Sequence, residues 1–437
     1  MTTFVKDRGG SLLATVLAVV VAVLAGLHVS QRPELVLGLA AGLLVFLIGV
    51  YDASLLALVC CPAFLIVLRI SVAGTDLAVS DLAIAVCAVA ALVSGPRPYS
   101  PPLRALLWLC VGYQAALTVT LIATPYRANF IEWGHEWMLA AGALLVGWTL
   151  AASGRGTAAC KVLLTCGALI ALGVIGQGLW QFAHDDFSAV YLAGPLPMHK
   201  NLAGTILAFL ALLAYARPLW LPISTTVLRL TFGLLVVGLL FTQARQGIVA
   251  LLVGVLVLLW LRPKEQRRST VIVVLAVPVA AFIWWATQQQ LADPSDFSSA
   301  NIRISSWKTS MKIWQLDPWF GQGLRWWYRP DFPGIIAPPN GLTEMLTSAG
   351  IVGASAYVVL FCGAVWILAR IPRRYGALAI AILVAHVLRG QLDMFWLAVV
   401  ASLPWILIGI CLGTQRWENP VATASPAPAR QPAEIAP

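Results

Sequence analysis

The sequence predicts an all-α, polytopic integral membrane protein, and three observations carry that prediction. Of 437 residues, 60% are apolar and only 11% are charged, against roughly 25% charged in a soluble domain. Mean hydropathy is +0.86. Apolar runs near the ~20 residues that cross a bilayer recur at about 11–30, 34–52, 54–70, 78–95, 104–124, 137–153, 160–182, 201–216, 226–243, 246–262, 269–287, 343–369, 376–390 and 394–413. Several are short or closely spaced, so the expectation is about 12–14 transmembrane helices with one large periplasmic loop containing short helices. Soluble enzymes, disordered chains, collagen and coiled coils are excluded.

Each segment follows from its composition. The first run comes after Lys6 and Arg8, as in a signal peptide, but no small-residue cleavage site follows, so it reads as the first span. Gly38 and Gly42 form a GxxxG in the second run, a helix-packing pattern. With an N-terminus in the cytoplasm, alternation puts Arg97 with Arg104, Arg155 with Lys161, the cluster Arg262, Lys264, Arg267 and Arg268, and Arg370 with Arg373 and Arg374 on the cytoplasmic side. The opposite orientation would invert this asymmetry, so both termini are expected in the cytoplasm of a cytoplasmic-membrane protein. The formal net charge of +10 is then a topology signal, and no nucleic-acid partner is expected. The chain is expected to divide into N-terminal transmembrane helices over 1–287, a large extracytoplasmic loop with an amphipathic helix over 288–341, C-terminal transmembrane helices over 342–415 and a disordered cytoplasmic tail over 416–437. The Ala/Pro-rich end of that tail cannot bury a core.

The eight cysteines lie in or beside apolar runs and form neither a disulfide framework nor a zinc spacing. No cluster of metal ligands is seen, so no metal or other cofactor is expected. Chemistry is instead expected in the outward segments, where Arg and aromatic residues gather. The loop contains NIRISSWKTSMKIW, which places Arg303, Trp307 and Trp314 on one side of a helix, with Lys308 and Lys312 on a second line. Pro318, Gly321 and Gly323 end that helix, and Arg325, Trp326, Trp327, Tyr328 and Arg329 form a basic-aromatic cluster. An interfacial aromatic belt accounts for the tryptophans, but not for so many outward arginines.

Arg245, in the turn FTQARQG, sits between two apolar runs. Arginine in that setting is retained for a partner, either an acid or a phosphate that its planar fork holds with parallel hydrogen bonds. His199, Lys200 and Asn201 open the span at 201–216, where a helix N-terminus favours anions. Arg389 and Asp393 flank the turn RGQLD and are spaced to pair with each other at i,i+4, although Asp393 would equally serve as counter-ion to a basic site. His386 is expected to pack in the bundle.

The order of these pieces resembles the O-antigen ligase and O-antigen polymerase superfamily of bacterial membrane glycosyltransferases. The resemblance rests on His199-Lys200-Asn201, on Thr242 to Gly247, on Arg303 with Trp307 followed by Asp317-Pro318-Trp319-Phe320-Gly321-Gln322-Gly323, and on Asn340 to Leu346 followed by Ala349-Gly350-Ile351-Val352-Gly353. It covers roughly residues 195–400. One position departs from the family, which usually has a histidine just before the Asn where this chain has Pro339.

The resemblance implies metal-independent transfer of a glycan from a polyprenyl diphosphate-linked donor to an acceptor hydroxyl on a glycan, lipid or protein, at the outer face of the membrane. In that reading Arg245 and Arg303 are catalytic. His199, Lys200, Asn201, Trp307, Arg325, Arg329 and Asn340 contact substrate, with Trp326 and Trp327 available to stack on sugars. The general base stays open among His199, Glu344 and Asp393. Two other readings remain: a transporter or flippase for an anionic lipid-linked sugar, and a catalytically silent relative.

Overall fold

A computed structural model describes residues 51–72, 75–261, 299–335, 337–338 and 340–419, with positions 45, 48, 49 and 288 beyond them. The spans expected at 11–30 and 269–287, most of that at 34–52, the tail beyond 419 and the departure at Pro339 lie outside the described residues. What is described is an all-α bundle with one short hairpin.

Helix α1 is Ala53–Cys60, capped by Asp52, whose carboxylate accepts from the amides of Ser54 and Leu55 at 3.0 Å. The run expected as one span over 54–70 is not a continuous helix. Pro62 has no amide to continue the ladder, so the chain passes through a 3-10 turn at Ala63–Leu65 into a hairpin. Its strands β1 (Arg69–Val72) and β2 (Thr75–Ala78) pair antiparallel, with Arg69 opposite Ala78.

Next come α2 (Val79–Ser94), α3 (Pro101–Ala123) and α4 (Arg127–Trp137). A π turn at Met138–Gly142 joins α4 to α5 (Ala143–Ala152). Then follow α6 (Gly156–Phe182), α7 (Lys200–Ala216), α8 (Thr225–Thr242), α9 (Arg245–Trp260) and α10 (Ser299–Trp314). The chain closes with α11 (Gly341–Ala369), α12 (Arg373–Gly390) and α13 (Ala398–Glu418). Among the described residues α3, α6, α8, α11 and α13 are long and apolar enough to cross a membrane, and α2, α7 and α9 are shorter apolar helices.

Helix α13 is the buried axis of the bundle and packs along α5. The two approach closely because Gly147 faces Gly409: a Cβ on Gly147 would lie 2.0 Å from the Ile406 carbonyl oxygen. The helices alternate in direction, so polar groups collect at two ends. One end holds the Asp52–Arg155 ion pair at 2.7 Å and the Arg374–Glu418 pair at 3.1 Å. The other gathers the residues singled out above.

The feature that shapes this second end is a break in α11. Gly350 has φ +63° and ψ −161°, a conformation essentially restricted to glycine. The break frees backbone groups that would be costly to leave unpaired in an apolar bundle. The segment 318–323 takes them up. The amides of Gln322 and Gly323 donate to the carbonyls of Thr347 (2.8 Å) and Ser348 (2.9 Å), and those of Ile351 and Val352 donate to Pro318 (2.8 Å) and Trp319 (3.3 Å). The Asp-Pro-Trp-Phe-Gly-Gln-Gly motif is thus the backbone partner of the broken helix.

A methyl group at position 350 would lie 2.2 Å from the Trp319 carbonyl carbon. Gly350→Ala should therefore destabilise the protein by at least about 2 kcal/mol, seen as a lower Tm in detergent. Gly112→Ala in α3, where a methyl meets nothing within 4 Å, is the control and should melt like the wild type or slightly higher. Equal melting of the two variants would show that the break is not required.

Candidate active site

Three sequence-distant pieces meet at Asp393. Its Oδ2 accepts from Asn201 Nδ2 at 3.0 Å and from Gln246 Nε2 at 3.1 Å, and its Oδ1 accepts from the Met394 amide at 2.9 Å. This carboxylate therefore ties the start of α7 to the start of α9 and to the turn after α12. The expected pairing of Arg389 with Asp393 is replaced by other partners. Arg389 is fully buried and donates through Nη2 to the Met394 carbonyl at 2.8 Å. His386 packs among Phe209, Phe361 and Phe395, as expected of a bundle histidine.

His199 caps α7 rather than preceding it loosely. Its Nδ1 accepts from the Asn201 amide at 3.2 Å, and its ring stands edge-on to Tyr191 at 5.0 Å. Lys200 Nζ lies 5.6 Å from the centre of the same Tyr191 ring. Burial pushes the His199 pKa down and Lys200 adds to that, while Asp393 opposes it. A ring that accepts at Nδ1 carries its proton on Nε2.

Arg245 is the first residue of α9, reached through Gln243 in the left-handed region at φ +51°. Arg303, on α10, is close enough that the two guanidinium groups repel each other. Two like charges converging at one end of the bundle form a site complementary to an anion with several oxygens. Trp307 follows one turn after Arg303 on α10 and is half exposed.

The remaining expected residues have defined places. Arg329 pairs with Asp331, donates to the Gln322 carbonyl at 3.1 Å and stacks on Tyr126 and Phe332. Asn340 caps α11: its Oδ1 accepts from the Thr343 amide at 3.0 Å while its Nδ2 donates to the Gln391 carbonyl at 2.9 Å. Both amide ends of Asn340 are thereby engaged inside the protein. Trp326 is fully buried and donates to Thr347 Oγ1 at 3.0 Å, which makes it part of the core. Glu344, in the first turn of α11, is buried, and its Oε2 has no hydrogen-bond partner among the described residues.

Arg325 has φ +56° and forms an ion pair through Nε with Glu132. Glu132 is also 3.3 Å from His135 Nδ1, and His135 Nε2 is 3.3 Å from Asp81. Sequence reasoning overlooked Gln246, Asp81, Glu132 and His135. The first sits inside a quoted turn. Glu132, His135 and Glu136 lie in IEWGHEW, where acids and a histidine at i, i+3 and i+4 in an otherwise apolar chain were the available signal.

Because Asp393 is shared, Asp393→Ala and Gln246→Ala should not be additive. Each alone should destabilise by about 1–3 kcal/mol, and the double variant should lose less than the sum, with a coupling of at least about 0.5 kcal/mol. Denaturation of the four proteins in one detergent measures it, and strict additivity would remove Asp393 as the common anchor.

Comparison with known families places this geometry. The family model described as O-antigen ligase matches residues 230–358, from within α8 through α9 and α10 to the break in α11. No curated protein matches the chain. The matched segment carries Arg245, Arg303 and the Gly350 break together, and over it the chain is similar to the O-antigen ligase family, which supports the O-antigen ligase and polymerase superfamily.

Proposed function

We propose that the protein transfers a glycan from a polyprenyl diphosphate-linked donor to an acceptor hydroxyl at the outer face of the cytoplasmic membrane. The single observation that carries this is the convergence of Arg245 and Arg303 inside the matched segment. Two guanidinium groups whose charges act against each other are complementary to a diphosphate bound between them. They gain further as the anomeric C–O bond breaks and its electron pair moves onto the leaving diphosphate. Fixed cationic side chains supply the charge stabilisation that this step needs. Lys200 and His199 Nε2 lie at the start of α7 as further donors to the same anion.

The lipid part of the donor also has a place. An apolar cavity of about 310 Å³ is lined by Pro62, Leu65, Leu68, Leu169, Pro197 and Met198. Its lining includes Pro197 and Met198, which directly precede His199 and Lys200 in the chain, so a prenyl chain lying in it would have its diphosphate within reach of those residues. Trp307, exposed one turn beyond Arg303, is available to stack on a sugar.

The acceptor oxygen attacks the anomeric carbon and must give up its proton. Of the three candidates, Asp393 has both oxygens engaged, and His199 already accepts at Nδ1, which leaves Nε2 protonated. Glu344 keeps an oxygen with no hydrogen-bond partner among the described residues and is assigned the base role. The outward orientation, with both termini in the cytoplasm, follows from the distribution of Lys and Arg between the two ends.

Purified protein in nanodiscs, given polyprenyl diphosphate-linked glycans, should release polyprenyl diphosphate and form a lengthened or newly attached glycan visible by mass spectrometry. Arg245→Ala and Arg303→Ala should each slow release by about 100- to 1,000-fold. Glu344→Gln should lower kcat with little change in donor KM. A lengthened lipid-linked glycan identifies a polymerase, and transfer to a different acceptor identifies a ligase. Donor binding without release across these acceptors would overturn the transferase reading in favour of transport.

A further inference from the structure

We propose that Asp81, Glu132 and His135 form a charge relay that positions Arg325 and sets its strength as an anion-binding group, making Arg325 a further contact for the donor diphosphate. The inference rests on the donor reading above.

The relay alternates in sign along its length. Arg325 Nε meets Glu132, Glu132 Oε2 meets His135 Nδ1, and His135 Nε2 meets Asp81 Oδ2. The side chains of Asp81, Glu132 and His135 are each less than a tenth exposed, whereas that of Arg325 is 24% exposed. The chain therefore has a buried root and one accessible tip. Asp81 is anchored in the first turn of α2, where it accepts from the Ala78 amide at 3.1 Å and benefits from the helix dipole. The His135–Asp81 contact is an ion pair that is not aligned as a hydrogen bond.

The geometry of Arg325 suits an anion contact. Its left-handed backbone follows Gly323 at φ +94°, and Leu324 between them is held by Asn129 Oδ1 at 2.9 Å and by the Tyr126 hydroxyl. Glu132 engages the Nε edge. Among the described residues neither terminal nitrogen of Arg325 has a hydrogen-bond partner, so the two-nitrogen fork is presented at the accessible tip.

A lone carboxylate on Nε would cancel most of the attraction between Arg325 and a phosphate. His135 offsets this, because its positive charge draws on the same Glu132 carboxylate. The groups facing His135 are Asp81 from α2 and Glu132 and Glu136 from α4; Tyr113 from α3 bonds Glu136 at 2.6 Å, and Glu344 from α11 acts on Glu132 and Glu136. Burial alone would make His135 neutral, but Glu132 and Asp81 outweigh it and push its pKa up to about 10. Burial likewise raises the Glu132 carboxyl, yet His135 and Arg325 hold it below the usual glutamate range. With His135 protonated, the relay pairs two cations with two carboxylates and presents a positive group at its accessible end.

The sign of the pH effect follows. With His135 protonated, Arg325 keeps its attraction for an anion. When His135 loses its proton, the whole Glu132 charge falls on Arg325 and affinity drops. Removing Asp81 takes away one of the two carboxylates that hold the proton, so the drop moves to lower pH.

The test is binding of undecaprenyl diphosphate to the full-length protein in nanodiscs between about pH 7.5 and 9.5, where the diphosphate and the arginines keep constant charge. Wild-type affinity should stay flat over most of this window. Asp81→Asn should bind like the wild type at the low end and lose about tenfold towards the high end. His135→Asn should bind about tenfold more weakly at every pH, and His135→Lys, which restores the cation, should recover affinity with a flat profile. A merely structural role would move neither the profile nor the rescue, and each variant's melting curve reports its folding. A flat, wild-type-like Asp81→Asn profile, or His135→Asn binding as tightly as wild type, would overturn the relay alone. Absence of diphosphate binding by the wild type at every pH would overturn the donor reading and the relay together.

Discussion

The break in α11 at Gly350 is the constraint on which the end of the bundle that carries the candidate site depends. A helix interrupted inside an apolar bundle exposes carbonyls and amides that no water can satisfy. Here the segment 318–323 supplies four backbone bonds to the residues flanking the break. The loop is therefore held to the helix by backbone bonds rather than by side chains alone. Once fixed there, it also reaches back to the first half of the bundle: Thr120 Oγ1 donates to the Phe320 carbonyl at 3.1 Å, and Asn129 receives the Leu324 amide. Arg325 and Trp326 follow directly, so their positions are set by the same zipper. Through Asn340, which caps the broken helix and donates to the Gln391 carbonyl, the constraint extends to the turn that carries Asp393.

A second order of organisation is electrostatic. The polar side chains at this end are joined across long sequence separations, with Asn201 and Gln246 each bound to Asp393. Asp393 is consequently an anchor, which removes it from consideration as a mobile proton acceptor. Arg389, four residues before Asp393, donates its hydrogen bond to the Met394 carbonyl instead, so the side-chain hydrogen bonds to Asp393 Oδ2 come from two neutral amides. Sharing one carboxylate between two helix starts holds α7 and α9 in register, and with them Lys200 and Arg245.

Hydropathy made the bundle legible, because burying an apolar run in lipid leaves its mark on every residue of that run. The amphipathic helix of the loop was legible for the same reason: Arg303, Trp307 and Trp314 share a side through helical spacing, and α10 forms over Ser299–Trp314. The segment at 54–70 misled because its composition is apolar, while a single residue, Pro62, decides that it turns. The Asp81–His135–Glu132 chain was not legible, since it joins α2, α4 and the loop through contacts that no local period records. The Pro-x-x-Gly-x-Gly segment was read as a helix stop, and its pairing with 347–352 depends on a backbone conformation at Gly350 that only packing reveals.

These arrangements bear on how the site holds its charge. The charge of Arg303 acts against that of Arg245, and rigid elements set the position of each. Arg245 is held by the start of α9, which Gln246 ties to Asp393, and Arg303 by α10, which packs on α11. The repulsion is thus stored by rigid elements rather than dissipated by side-chain motion. Under the proposed transfer, the repulsion falls when a polyanion enters and falls further as negative charge grows on the leaving group. An interaction that strengthens along the reaction lowers the barrier, whereas equal binding of substrate and transition state would not. Arg325 differs from the other two because its charge is balanced by a buried carboxylate whose own charge is shared. Under the proposed transfer, Arg325 would therefore contact an anion with its own charge already balanced by Glu132, so that its contribution depends on how much of that carboxylate His135 draws away.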